Sequence, residues 1–178
     1  MIQSFLALLS GAIVGFALFS NGELAAHTGP VVASVLAHAT GALLSSLLWV
    51  GFFRSAPLWI VGTPLWIYLP GIPGSLAVIA YGISMNSPVG VSGTLCFGLF
   101  GQVISGLMMD HFGWVGSLRR ELGFSDFAQV VLILFGTLIL QRPTLILEWL
   151  PPVAAMIGGM LVGLSLAMNA QLGARLHL

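Results

Sequence analysis

Six stretches of this chain are apolar for long enough, or nearly so, to cross a bilayer, and short polar segments separate them. They run over about residues 5–20, 31–53, 65–85, 89–109, 127–140 and 150–168. A membrane-crossing helix needs roughly 20 largely apolar residues. The fifth stretch is short but bounded by charge. The third opens on Pro70-Gly71-Ile72-Pro73-Gly74, which predicts a break in its first turns, because proline removes a backbone donor. In a membrane such an irregularity must be buried in protein or line a cavity. The connections are short. Pro88 suits a helix start, and residues 111–126 carry more charge than any other connection.

The fourth stretch carries the densest pattern. At 3.6 residues per turn, Thr94, Gly98, Gly101, Gln102 and Ser105 share one helix face, and the other faces hold Leu, Ile, Val, Phe and Met. A small-residue stripe with one amide predicts a span packed closely on a neighbour. Gln102 then points into protein or a cavity, since an unpaired amide facing lipid is costly. The stretch ends in Asp110-His111-Phe112-Gly113, where a turn is expected.

Composition sharpens this picture. Of 178 residues, 58% are hydrophobic and 6% charged, against about 25% charged in soluble domains. An ordinary soluble fold is excluded, and the lipid bilayer is the expected surrounding. The five arginines balance five acids, which supports no nucleic-acid partner. Cys96, the one cysteine, reads as a small buried hydrophobe. No catalytic triad, metal cluster or phosphate loop is evident, so no enzyme activity, cofactor or metal is expected. A membrane enzyme acting on lipid would need a convergent acid/base or metal set that the sequence does not offer.

Residues 1–4 carry no positive charge and the first stretch ends in Asn21-Gly22-Glu23, so it reads as a retained span rather than a cleaved leader. With the N-terminus inside, Arg54, Arg119, Arg120 and Arg175 are cytoplasmic and Arg142 is outside, which favours both termini in the cytoplasm. Trp49, Trp59, Trp66, Trp114 and Trp149 fall at or near span ends, as an interfacial belt requires.

The chain also repeats itself. Residues 11–24 match residues 159–172 at a constant offset of 148: Gly11 and Gly159, Val14 and Val162, Gly15 and Gly163, Leu18 and Leu166, Asn21 and Asn169, Leu24 and Leu172. Five spans separate the starts of the two copies. Five is odd, so the copies cross the membrane in opposite senses, the plan of an inverted-repeat secondary transporter. The expected fold is an all-α integral membrane bundle. Residues 1–143 form a five-span repeat unit, and residues 144–178 form a sixth span, the first of an inverted second unit. The expected partner is a missing second half, a paired five-span protein or a further copy in a homo-oligomer.

Gly101-Gln102 followed by Asp110-His111-Phe112-Gly113 resembles the signature of the YdcZ-type family of the drug/metabolite transporter (EamA-like) superfamily. So do Asn21-Gly22-Glu23-Leu24 and the run from Glu121-Leu122-Gly123 through Gly136 to Gln141-Arg142-Pro143. The resemblance implies five-span units, or ten-span fusions of two inverted units, that export small molecules across the inner membrane. Departures from the pattern are Ala17 and Ser165 where a Gln is frequent, His38 where a Phe is frequent, and Pro70-Gly71 in place of Gly-Gly.

Seven residues are candidates for function. Gln102 binds a polar substrate group or makes an interhelical hydrogen bond. His38 shares a face with Ser34, Gly41 and Ser45, and either couples protons or bonds a carbonyl or hydroxyl. Asn21 and Asn169 stop their helices or form a symmetric pair lining one site. Glu23, matched by Gln171, is the runner-up proton carrier or a solvated loop residue. Asp110 and His111 point about 100° apart and cap a helix or take part in gating. The function expected is alternating-access export of an unidentified small molecule, and the alternative is a non-transporting scaffold or accessory subunit.

Overall fold

In a bilayer every backbone N–H and C=O must be satisfied within the segment, so a chain this apolar folds as helices. The computed structural model describes residues 2–53, 59–140 and 149–176. Among these residues, six α-helices hold the six apolar stretches: α1 (Ile2–Thr28), α2 (Pro30–Leu48), α3 (Gly71–Met85), α4 (Gly90–Phe112), α5 (Phe124–Leu140) and α6 (Leu150–Leu176). A π-helical turn, Trp49–Phe53, extends α2, and a 3-10 turn, Leu65–Tyr68, precedes α3. No strand occurs among the described residues. Arg54, Arg142, Pro143 and the end of the five-span unit at 143 lie outside the described residues.

Among the described residues, four helices are long and apolar enough to span: α1, α2 with its π turn, α4 and α6. At 15 and 17 residues, α3 and α5 are shorter. At 1.5 Å per residue α3 covers about 22 Å of a roughly 30 Å hydrocarbon core. The shortfall comes from the break that the proline-glycine cluster imposes at Leu69-Pro70.

The structure corrects one expectation about helix ends. Asn21 and Asn169 do not stop their helices. α1 runs seven residues past Asn21, to Thr28, and α6 seven past Asn169, to Leu176. The stop signal of α1 is Gly29-Pro30. Gly29 takes φ 84°, its N–H bonds the Ala25 carbonyl at 2.9 Å, and Pro30 opens α2. A positive φ suits glycine, and proline suits a first helical position. Asn21 and Glu23 therefore lie on a helix and not in a loop.

The core is α3, α4 and α6. α6 makes the most extensive contacts in the molecule, lying along α4 and α3 together, while α1 and α2 cover α3 and α5 packs on α4. Glycine makes the α4/α6 approach possible. A Cβ on Gly101 would overlap the Met156 carbonyl, one on Gly159 the Gly98 carbonyl, and one on Gly163 the Ser105 hydroxyl. This is small-residue packing between backbones, which substitutes for a hydrophobic drive that lipid does not supply. The stripe read on α4 is thus largely its seam with α6: Gly98, Gly101 and Ser105 are buried there, while Thr94 is buried against α3.

Between α3 and α4 the fully buried Thr94 hydroxyl donates to the Gly90 carbonyl at 2.7 Å and shares a hydrogen bond with the Ser84 hydroxyl at 2.8 Å, so these two interior hydroxyls are paired. The outward faces of α1, α2 and α5 expose leucine, valine and phenylalanine, among them Phe5, Leu8, Phe16, Leu43 and Phe135. That surface suits hydrocarbon. Trp59, Trp66, Trp114 and Trp149 are exposed next to helix ends.

Candidate functional site

Where α1 diverges from the α3/α4/α6 core, the helices enclose a half-open cavity of about 480 Å³. Ser10, Gly11, Val14 and Leu18 of α1 form one wall, and Val162 and Leu166 of α6 form the facing one. Tyr81 of α3 and Gln102 of α4 supply polar groups between them. None of these lining residues is charged. The size and the largely apolar lining with a few placed polar groups suit a small organic molecule.

The two facing walls are related by the repeat. Val14 and Val162 differ by 148, and so do Leu18 and Leu166, the same offset that aligns α1 with α6. The helices also end at opposite ends of the bundle. Gly22 of α1 lies against Met85, at the end of α3. Gln171 of α6 reaches the turn after α4, donating from Nε2 to the Gly116 carbonyl at 3.2 Å.

Tyr81 is held by two glycines. Added Cβ atoms on Gly98 and Gly158 would meet its ring within 2.5–2.9 Å. Only 4% of Tyr81 is exposed, and Gln102 Nε2 lies 3.5 Å from its hydroxyl oxygen, a long bond at the edge of the useful range. The amide thus keeps hydrogen-bonding capacity for something else in the cavity. Sequence reasoning singled out Gln102 and missed Tyr81. A signal existed: it is one of only two tyrosines in the chain and sits in mid-span.

His38 lies elsewhere, where α2, α3 and α6 meet. Its Nδ1 is 2.9 Å from the Ser34 carbonyl, so Nδ1 carries a hydrogen and donates it there. Its Nε2 and the Ser165 hydroxyl both face Gly74, each 3.5 Å from where a Cβ would stand. Ser34 donates to the Ser75 carbonyl and Ser165 to the Pro70 carbonyl, both at 2.9 Å. Side chains of α2 and α6 therefore satisfy the irregular start of α3, as membrane burial demands.

The remaining candidates are dispersed. Asn21 is half-buried, Asn169 and Glu23 are exposed, and none of the three lines the cavity. Asp110 and His111 belong to the last turn of α4, which Gly113 closes at φ 67° with its N–H bonded to the Met109 carbonyl. Asp110 does not pair with His111. Its Oδ2 is 3.8 Å from Arg120 Nη2, and its backbone carbonyl accepts the Arg120 N–H at 2.7 Å. His111 stands edge-on to Phe112 and lines a 500 Å³ pocket with Arg119, Arg120, Glu121 and Leu122.

Arg120 also fastens the start of α5. Its Nη1 and Nη2 donate to the two oxygens of Asp126 at 3.0 Å each, a bidentate pair. Asp126, three residues into the helix, accepts the Gly123 N–H at 2.8 Å, half of a capping box. The Arg120 guanidinium, and then the Gly123 N–H, hold the Asp126 carboxyl below the ordinary carboxylate range. A lowered folded-state pKa gives stabilisation that is complete above the unfolded value, about 3.9. It is lost only as pH falls through the lower folded value. Amide exchange of residues 114–123, corrected for its intrinsic rate, is therefore expected to stay level from pH 7 to about 4. Asp126→Asn is expected to raise it severalfold at pH 7; unchanged exchange would show that the clasp does not order this turn.

The described architecture is that of an all-α integral membrane protein with an intramembrane cavity between its helices. The chain belongs to the YdcZ family, whose sequence profile matches residues 2–139 and is described as "Putative inner membrane exporter, YdcZ". No curated protein and no solved structure matches the chain.

Proposed function

We propose that this protein exports a small molecule across the inner membrane by alternating access, and that the cavity between α1, α3, α4 and α6 holds the substrate. The observation that carries this reading is the placement of an amide with spare hydrogen-bonding capacity, Gln102, in a cavity whose facing walls are the two copies of the internal repeat. Inverted repeats facing each other across a central site are the usual frame for alternating access. The uncharged lining favours a neutral, partly apolar solute with at least one hydrogen-bonding group.

Membership of the drug/metabolite transporter superfamily is part of this reading, as is a topology with both termini in the cytoplasm. So is the need for a second five-span unit. His38 Nε2, beside the broken start of α3, is the group placed to take a proton during the cycle. His38→Asn is expected to alter the pH profile of transport; an unaltered profile removes that role.

The test of the reading is efflux from loaded proteoliposomes, screened over neutral amphiphilic solutes, with Gln102→Leu as the comparison. Solute-specific efflux that falls in the variant supports it. No efflux of any solute, from protein that is folded and reconstituted with its partner unit, favours the accessory-subunit alternative.

A further inference from the structure

We propose that the turn joining α4 to α5, with the apolar pocket beside it, is a site for a zwitterionic phospholipid whose headgroup carries a primary ammonium. The phosphate meets Arg119 and His111, the ammonium meets Glu121, and an acyl chain enters the pocket between Met108, Met160 and Leu164.

The turn is held in a definite shape. Gly113, Val115 and Gly116 take positive φ, at 67°, 57° and 77°. A β-branched residue in that region is an outlier, and such strain persists only where neighbours impose it. Here the Arg120 N–H bonds the Asp110 carbonyl at 2.7 Å, and Gln171 Nε2 donates to the Gly116 carbonyl at 3.2 Å. The chain folds back over the end of α4, which brings Arg119 Cβ to 3.5 Å from where a Cβ on Gly113 would stand. The half-open pocket of about 500 Å³ that contains His111, Arg119 and Glu121 is the result.

The charges around this pocket are unequally engaged. The Arg120 guanidinium is bound by Asp126 and lies 3.8 Å from Asp110, so it is matched. Among the described residues, neither the Arg119 nor the Glu121 side chain has an ion-pair or hydrogen-bond partner, not even the other. His111 Nδ1 is buried without a partner, which leaves Nε2 as the ring nitrogen open to an occupant. An open cation beside an open anion suits a ligand that bears both charges better than a simple anion, which Glu121 would repel. A guanidinium matches phosphate oxygens, and a carboxylate accepts from an ammonium.

The location points to lipid rather than to a free zwitterion. The turn follows a helix long enough to span, and Trp114 is exposed in it, as at a headgroup boundary. A second pocket of about 240 Å³, apolar apart from Ser105, lies between α4 and α6 with Trp114 in its wall. A row of rings joins the two pockets. His111 is edge-on to Phe112 with centroids 4.9 Å apart, and Phe112 stacks on Trp114 at 5.1 Å. A polar pocket and an apolar one side by side at a span end match a headgroup and its chain; a free zwitterion would use only the first.

The test takes the full chain from membranes of equal parts phosphatidylethanolamine, phosphatidylcholine and phosphatidylglycerol into mild detergent. The lipids it keeps are counted by native mass spectrometry. An exposed ion pair is worth up to about fivefold, so the ethanolamine lipid is expected to exceed either other by at least about threefold. Arg119→Gln should lower retention of every phospholipid, and Arg119→Lys should restore it. Glu121→Gln should erase the preference over phosphatidylglycerol. Arg175→Gln, an exposed cation near the same end of the bundle but outside the pocket, should change nothing. The substituted side chains are exposed, so these variants should unfold as the wild type does. No preference, a preference for phosphatidylglycerol, or equal retention of the choline lipid overturns the proposal. So does displacement of the lipid by soluble glycerophosphoethanolamine, which would assign the pocket to a free zwitterion. The readout is bound lipid and not efflux, so it stands or falls apart from the transport reading.

Discussion

Gly159→Ala is expected to be among the most damaging single substitutions in this protein, although it adds one methyl group. That methyl would stand inside the Gly98 carbonyl and close to the Gly98 Cα, and neither is the movable end of a side chain. α4 and α6 would have to separate, and α6 carries the largest packing interface in the molecule. Overpacking usually costs about 1–3 kcal/mol, and the upper end or beyond applies where backbone rather than a rotamer must yield. Gly101→Ala meets the Met156 carbonyl and should behave alike. Gly41→Ala and Gly136→Ala are the controls, because their added methyls meet nothing within 4 Å. In those helix interiors alanine is worth roughly 0.5–1 kcal/mol more than glycine. The measurement is thermal unfolding of detergent-solubilised protein together with its abundance in membranes. Wild-type behaviour of Gly159→Ala would mean that the α4/α6 seam is looser than its geometry requires.

That seam was legible in the sequence, and the contrast with what was not is instructive. Thr94, Gly98, Gly101 and Ser105 fall on one face by helical periodicity alone, and small residues in an apolar helix have few uses besides close packing. Which helix they pack on was not legible, because the apolar stretches look alike and partner choice depends on backbone shape. The repeat came near to an answer: it marked α6 as special, and α6 proved to be the helix in the seam. The break before α3 was legible because proline and glycine act locally. The length of α1 was not. Asn21-Gly22 resembles a helix end, but Gly22 is there because the Met85 side chain lies against it, a tertiary reason that no local pattern reveals. The site divided in the same way. Gln102 stood out as a lone amide among apolar residues, whereas the two glycines that seat Tyr81 come from α4 and α6 and meet only in three dimensions.

Gln102→Leu is expected to lower export between about 5- and 150-fold while leaving the protein folded. The range corresponds to losing a hydrogen bond to a group that stays buried when its partner goes, about 1–3 kcal/mol. Fold stability should change little, because the bond to Tyr81 is long and interhelical bonds of this kind average about 0.6 kcal/mol. A second substitution separates the substrate's contribution from Tyr81's. Gln102→Leu also leaves the Tyr81 hydroxyl, buried between Gly98 and Gly158, without the amide it faces. If that orphaned hydroxyl were the cause of the defect, Gln102→Leu with Tyr81→Phe should restore export, since removing both partners of a bond is far less costly than removing one. If the amide binds substrate, the double variant should remain as impaired as Gln102→Leu, and Tyr81→Phe alone should be reduced no more than severalfold. Initial efflux rates at several solute concentrations decide the matter, because a lost binding contact raises the half-saturating concentration before it lowers the limiting rate. Full activity in folded Gln102→Leu would move the substrate away from this cavity. The next place to examine would be the apolar pocket of about 240 Å³ between Met108, Trp114 and Leu164, which has Ser105 in its lining.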